Sequence, residues 1–331
     1  MVFVWILCAA LILLLIAFAA AAVFFFRIAL CRQKPHDQGV ITTSRMEGRD
    51  PWVQHAGKIK AACEWMRAQK FKRESIVSFD GLELSARFLP APDAVGTVIL
   101  MHGFHSSCDN DFACILPFYH ENGYNILLPD QRAHGQSGGK YITFGVKESR
   151  DCLEWARFIE GKYGGDIFLH GISMGGSTVL FCGGLPLPAG VRGIIDDCGF
   201  TSPEEIFRHV LRTAFRLPAF PLMNIEAFLI KSIAGFSPDE VSGPEMMARC
   251  KVPVLFVHGT EDKFVPIEMG KRNYDACTAY KRAIWTEGAG HGMSYLTDPE
   301  RCITELTAFL RHCGSVRAAE NAGAAAPRED K

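Results

Sequence analysis

The chain has 331 residues with 35 Lys and Arg against 36 Asp and Glu, which gives room for one large α/β domain with a substantial core. So even a charge balance argues against nucleic-acid binding, which calls for a basic face. The 12 cysteines are scattered without a Cys-x-x-Cys pair, and no His/Cys cluster has zinc-ligand spacing, so a reducing compartment is expected and neither a disulfide framework nor a metal.

Met1 to Phe26 holds no charged residue, a run longer than the ~20 residues that cross a bilayer as a helix. A cleaved signal peptide competes, with small residues at Ala19 to Ala22. Against it, no basic residue precedes the apolar run and that run is too long. Residues 1–30 are therefore read as a single-pass transmembrane anchor. Arg27, Arg32 and Lys34 follow the span, and the positive-inside rule puts that flank, and the globular part after it, in the cytoplasm.

Residues 31–72 read as a juxtamembrane linker and helix. The part from 33 to 52 is polar, with Pro35, Gly39 and Pro51. Between 55 and 72, Ile59, Ala62, Trp65 and Met66 recur at helical spacing. Such a helix suits a membrane surface or the edge of the domain equally well.

The segment 73–314 reads as an α/β domain. Ile76, Val77 and Phe79 alternate with polar residues before Asp80-Gly81, and Leu82, Leu84, Ala86 and Phe88 do so after it, the mark of a β-hairpin. Continuous apolar runs follow at Thr97–Met101, Asn125–Asp130, Asp166–Leu169, Val191–Asp196, Val252–Val257 and Ala283–Trp285, as buried parallel strands require. A helix is predicted from Val146 to Tyr163 on the stripe Cys152, Trp155, Phe158 and Ile159. Strands alternating with helices imply a mostly parallel sheet covered on both faces, with the hairpin as an antiparallel edge. Residues 315–331 are expected to be a disordered tail.

Chemistry concentrates at Gly171-Ile172-Ser173-Met174-Gly175-Gly176. Gly-x-Ser-x-Gly between a strand and a helix is a nucleophile elbow, a turn too tight for side chains two before and two after the serine. A serine hydroxyl is a poor nucleophile until a histidine takes its proton and a carboxylate orients that histidine. In a parallel sheet both partners belong beyond strand C-termini. Asp262 follows the strand ending at Val257, and His291 follows the strand ending at Trp285, in the order the elbow demands. Asp196 or Asp197 is the reserve acid. The backbone N–H groups of Met174 and Phe104 are the expected oxyanion donors, with His102 bracing that loop. Arg132 and His134 are expected to organise a loop through buried hydrogen bonds and carboxylate pairing. No feature points to a nucleophilic role for Cys198.

His102-Gly103-Phe104, Asp130-Gln131-Arg132-Ala133-His134-Gly135, the elbow, Gly259-Thr260-Glu261-Asp262 and Gly290-His291 together resemble the α/β-hydrolase superfamily. The resemblance is to the membrane-anchored branch similar to monoacylglycerol lipases and serine aminopeptidases. It covers about residues 75 to 313. It implies a helical cap near 201–248, read as an apolar lid over an acyl pocket, and a serine hydrolase cleaving a small-molecule acyl ester or lipid-like substrate without cofactor. Peptidase, thioesterase, acyltransferase and cofactor-free haloperoxidase chemistry use the same triad, and a non-catalytic membrane-tethered scaffold is the rival from another class.

Overall fold

The computed structural model describes residues 1–32 and 53–324. The polar linker at 33–52 and the end of the tail at 325–331 lie outside the described residues. A sheet of eight strands is ordered β1-β2-β4-β3-β5-β6-β7-β8. Its strands are β1 (Lys72–Val77), β2 (Glu83–Leu89), β3 (Gly96–Met101), β4 (Tyr124–Pro129), β5 (Asp166–Ile172), β6 (Val191–Asp197), β7 (Val254–Gly259) and β8 (Lys281–Thr286). β1 and β2 pair antiparallel about the Asp80-Gly81 turn, and β2 joins β4 antiparallel. From β4 through β8 every pairing is parallel, so those strands all end at one edge, the edge that carries the chemistry.

Both faces of the parallel strands are apolar because both are covered. Ile99, Leu127, Leu169 and Ile194 face Trp155 and Phe181 on one side. Their neighbours Val98, Leu100, Ile126, Phe168 and Ile195 face Tyr119 and Phe309 on the other. The covering helices are α2 (Ala56–Ala68), α3 (Leu116–Glu121), α4 (Glu148–Lys162), α5 (Met174–Gly183), α9 (Ile267–Ala276) and α10 (Pro299–Ala324). The stripe of α2 buries Ile59, Ala62, Cys63 and Met66, and packs them on Ala113, Ala289, Met293 and Leu296. That packing places α2 at the domain's edge. Helix α10 runs to Ala324, so residues 315–324 are helical where a disordered tail was expected.

Between β6 and β7 the chain forms the expected cap from α6 (Pro203–Thr213), α7 (Leu222–Leu229, extended by a wider turn to Ala234) and α8 (Gly243–Arg249). Helix α6 starts where Ser202, with Pro203 behind it, accepts the Glu205 N–H at 3.2 Å, a capping arrangement readable in Ser-Pro-Glu-Glu. Helix α1 (Val2–Leu30) is long and apolar enough to cross a membrane. Its first described buried residue is Ala22, and from there it leans on the cap, where Ala22 meets Leu211, Leu222 and Met223.

Candidate active site

β5 ends at Ile172 and α5 begins at Met174, so Ser173 alone makes the turn, with φ 57° and ψ −117°. A positive φ costs a non-glycine residue on the order of 1–3 kcal/mol and is held only by its surroundings. A Cβ on Gly171 would collide with the Gly175 carbonyl, and one on Gly175 would collide with the Met101 carbonyl at the end of β3. That close approach is why the two flanking positions must be bare. The Ser173 N–H donates to the Asp197 carbonyl at 2.8 Å, which ties the turn to β6.

The loops after β7 and β8 bring two side chains to this serine. His291 Nε2 lies 2.9 Å from Ser173 Oγ, and His291 Nδ1 lies 2.7 Å from Asp262 Oδ2. Asp262 Oδ1 accepts the N–H groups of Phe264 and Val265, each at 2.9 Å. Burial alone would raise the Asp262 carboxyl, yet hydrogen bonds from His258 and His291 hold it well below the usual carboxylate range. An ionised carboxylate only accepts, so Nδ1 of His291 carries the proton and, in the neutral ring, Nε2 is left to accept from Ser173.

His258 is the residue that sequence reasoning missed. It sits next to the end of β7, donates from Nε2 to the Val265 carbonyl at 2.9 Å, and stands 3.3 Å from Asp262 Oδ2. Its spacing of four residues before Asp262, inside the strand-end stretch His258-Gly259-Thr260-Glu261-Asp262, was the available signal. Among the described residues neither reserve acid is hydrogen-bonded to His291: Asp196 Oδ1 accepts the Gly199 N–H at 3.0 Å, and Asp197 gives its carbonyl to the Ser173 N–H. Burial pushes the carboxyls of Asp196 and Asp197 up to about 7 and about 6. Cys198, Asp262 and His291 bring ligand-type atoms within 4.8 Å of one another. The facing atoms of Asp262 and His291 are hydrogen-bonded to each other, however, and burial raises the Cys198 thiol well above its usual range, so it stays protonated and inert.

The loop after β3 is pinned from several sides. Asp111 accepts the Gly103 N–H and the Ser106 hydroxyl, both at 2.6 Å. His102 donates from Nδ1 to the Gly103 carbonyl at 2.8 Å and accepts the Gln131 N–H at Nε2, 3.1 Å away, which is the bracing role expected of it. A Cβ on Gly103 would sit 3.5 Å from that of Ser173, so this loop borders the nucleophile. Among the described residues no acceptor takes the N–H of Phe104 or Met174. Arg132 forks onto Asp151 at 2.6 and 2.7 Å and reaches Asp80 at 2.9 and 3.1 Å. His134 donates to the Arg132 carbonyl at 3.0 Å and accepts the His105 N–H at 3.2 Å. This stretch builds a loop and does not face the serine.

Above Ser173 lies a cavity of ≈ 270 Å³. Phe104, Phe144, Phe200, Phe207 and Leu222 line it, and apart from Ser173 and Glu226 every lining side chain is apolar. Phe25, Ile28, Ala29 and Leu30 of α1 also line it, which nothing in the uniformly apolar N-terminal run foretold.

The comparisons with known proteins agree with this architecture. YqkD of Bacillus subtilis, an uncharacterised protein, is 29% identical over 290 residues, spanning 87% of this chain and 91% of its own. The yeast protein YNL320W, named an uncharacterised membrane protein, is 21% identical over 229 residues, 66% of this chain and 72% of its own. The esterase Pf2001 of Pyrococcus furiosus shares the fold at a TM-score of 0.63 with 20% identity, covering 85% of this chain and 98% of the esterase. A model of the alpha/beta hydrolase family matches residues 98–305, well over half of the chain. The chain belongs to the alpha/beta hydrolase family and is a hydrolase.

Proposed function

We propose that the chain is a membrane-anchored serine hydrolase that cleaves a carboxylic ester or related acyl bond. The observation that carries this reading is the hydrogen-bonded line Ser173–His291–Asp262 at the floor of an apolar cavity. Ser173 Oγ attacks the acyl carbonyl carbon while its proton passes to His291 Nε2. Asp262 keeps Nδ1 protonated and steadies the imidazolium that forms. The negative charge on the carbonyl oxygen is met by the Phe104 and Met174 N–H groups. As the tetrahedral adduct collapses, the bond to the leaving oxygen breaks and that oxygen takes the proton from Nε2. Water then gives a proton to Nε2 and attacks the acyl-enzyme, and Ser173 regains its hydrogen as the acid leaves.

The apolar cavity favours a hydrocarbon acyl group over a peptide, whose polar main chain would be stranded there. The esterase name of the Pf2001 neighbour and the membrane name of the yeast relative lean the same way. Helix α1 serves as the anchor, and Arg27 in its last turn with Arg32 just beyond it favours a cytoplasmic catalytic domain by the positive-inside rule. Replacing Ser173→Ala is expected to abolish both hydrolysis of short p-nitrophenyl esters and labelling by a fluorophosphonate probe, with folding intact. Unchanged turnover in that variant overturns the reading, and a folded wild type that never labels favours a non-catalytic scaffold.

A further inference from the structure

Helix α1 is longer than a membrane needs. At 1.5 Å per residue Val2 to Ala20 spans about 28 Å, close to the ~30 Å hydrocarbon core, and the described side chains along it are exposed or half-exposed. The remaining turns belong to the catalytic domain. Ala22, Phe26 and Leu30 are buried, the Leu30 carbonyl accepts the Ile142 N–H at 2.7 Å, and Arg32 donates to the Ser137 and Gly135 carbonyls at 2.5 and 2.6 Å. The helix end is thus fastened to the loop after β4, from which Phe144 reaches the wall of the cavity.

Two cavities follow this helix. The inner one holds Ser173 and is walled by Phe25, Ile28 and Ala29. The outer one, of ≈ 150 Å³, is lined by Ala17, Phe18, Ala21, Leu217 and Leu222. Leu222 lines both, so the outer cavity beside α1 adjoins the one that holds the nucleophile at that side chain. Beside the outer cavity the cap turns large apolar side chains outward, with Phe220 77% and Phe228 70% exposed. Such a surface is costly in water and favourable in a bilayer interface.

We propose that the last turns of α1 form a wall of the acyl site, and that the site takes one fatty-acyl chain of a bilayer lipid, which arrives along the seam between α1 and the cap. This names the substrate class of the serine hydrolase reading and rests on it for chemistry. For binding it stands on the cavities alone.

Full-length protein in phosphatidylcholine vesicles provides the test, read as the ratio of kcat/KM for p-nitrophenyl dodecanoate to that for the acetate. Ala29→Trp fills the inner cavity from α1. Each methylene excluded from apolar surroundings costs about fourfold, so losing three lowers the ratio about 60-fold. Ile28→Ala widens the same wall and is expected to raise the ratio, while Val23→Trp, an exposed position on α1, leaves it unchanged. A ratio within twofold of wild type in both Ala29→Trp and Ile28→Ala overturns the proposal. Ala21→Trp plugs the outer cavity and is expected to slow hydrolysis of vesicle-embedded ester at least tenfold more than that of monomeric ester. Equal slowing of the two makes water, not the bilayer, the source and overturns the route. If wild type hydrolyses nothing, the hydrolase reading falls by itself. A diazirine-tagged dodecanoyl lipid in the same vesicles still decides the binding claim: photo-crosslinks within residues 25–30 support it, and crosslinks confined to the cap or elsewhere refute it.

Discussion

Asp262→Asn isolates the orienting carboxylate with almost no change of shape. In the native loop Oδ1 is claimed by two backbone N–H groups at 2.9 Å, while Oδ2 receives the His291 Nδ1–H at 2.7 Å. Only an acceptor satisfies the Phe264 and Val265 amides, so the carboxamide oxygen of the variant must take the Oδ1 place. Its NH2 then points at His291 Nδ1. A donor facing Nδ1 selects the opposite tautomer, with the proton on Nε2, and that nitrogen faces the Ser173 hydroxyl as a donor instead of a base. Losing the correct tautomer together with the charge that steadies the imidazolium is worth about 10⁴-fold in kcat, or about 5.4 kcal/mol of barrier. Stability should fall far less. The two loop hydrogen bonds survive, and His258, now facing an NH2 group, keeps the Val265 carbonyl as acceptor, so the cost is about 1 kcal/mol. The assay pairs initial rates on p-nitrophenyl butyrate with a melting curve. A drop of less than tenfold in a variant that melts normally would refute the orienting role of Asp262 and return Asp196 or Asp197 to consideration.

Two further outcomes follow from buried charges away from the serine. Arg132→Met strands Asp151, whose side chain is 3% exposed like that of its partner. Breaking a buried pair from one side costs about 3–5 kcal/mol, so chemical denaturation should show that loss, and a change under 1 kcal/mol would contradict the pairing's structural role. Burial raises the Asp196 carboxyl from 3.8 to about 7, so between those pH values the folded chain holds a proton that the unfolded chain has released, and stability declines as pH rises through this window. Asp196→Asn keeps an acceptor for Gly199 and should flatten that part of the melting-temperature profile, whereas an undiminished slope from pH 4 to 7 would show that Asp196 is not its source.

The parallel strands were legible because two covered faces demand unbroken apolar runs; β3, β4, β6 and β7 each lie within a residue or two of such a run, and β5 begins with one and runs on to Ile172. The elbow was legible for a harder reason. Collision with the Gly175 and Met101 carbonyls leaves glycine as the residue that fits, so backbone geometry is written directly into residue type. Asp262 and His291 were found by chain order and strand-end position, which the topology then places together. His258 escaped because its one sequence sign, the spacing of four residues before Asp262, says nothing of what its ring will meet. Its role depends on the Val265 carbonyl and on the Asp262 carboxylate four residues on, both placed by the turn of the following loop.

Helix α1 shows where one-dimensional reading runs out. A span that crosses a bilayer and a helix end buried beneath a cap have the same composition, since both surroundings exclude water and neither asks for a polar stripe. Periodicity therefore cannot mark the point near Ala22 where exposed side chains give way to ones buried under the cap. That point appears only when the cap residues Leu211, Leu222 and Met223 close over the helix. Their own apolar pattern is equally consistent with ordinary covering helices. What joins the two segments is length: 29 residues rise about 43 Å, more than the ~30 Å a hydrocarbon core requires. The excess turns line the cavity that holds Ser173, so shortening α1 from its C-terminal end removes a wall of that cavity, whereas shortening it from the N-terminal end leaves the cavity wall in place.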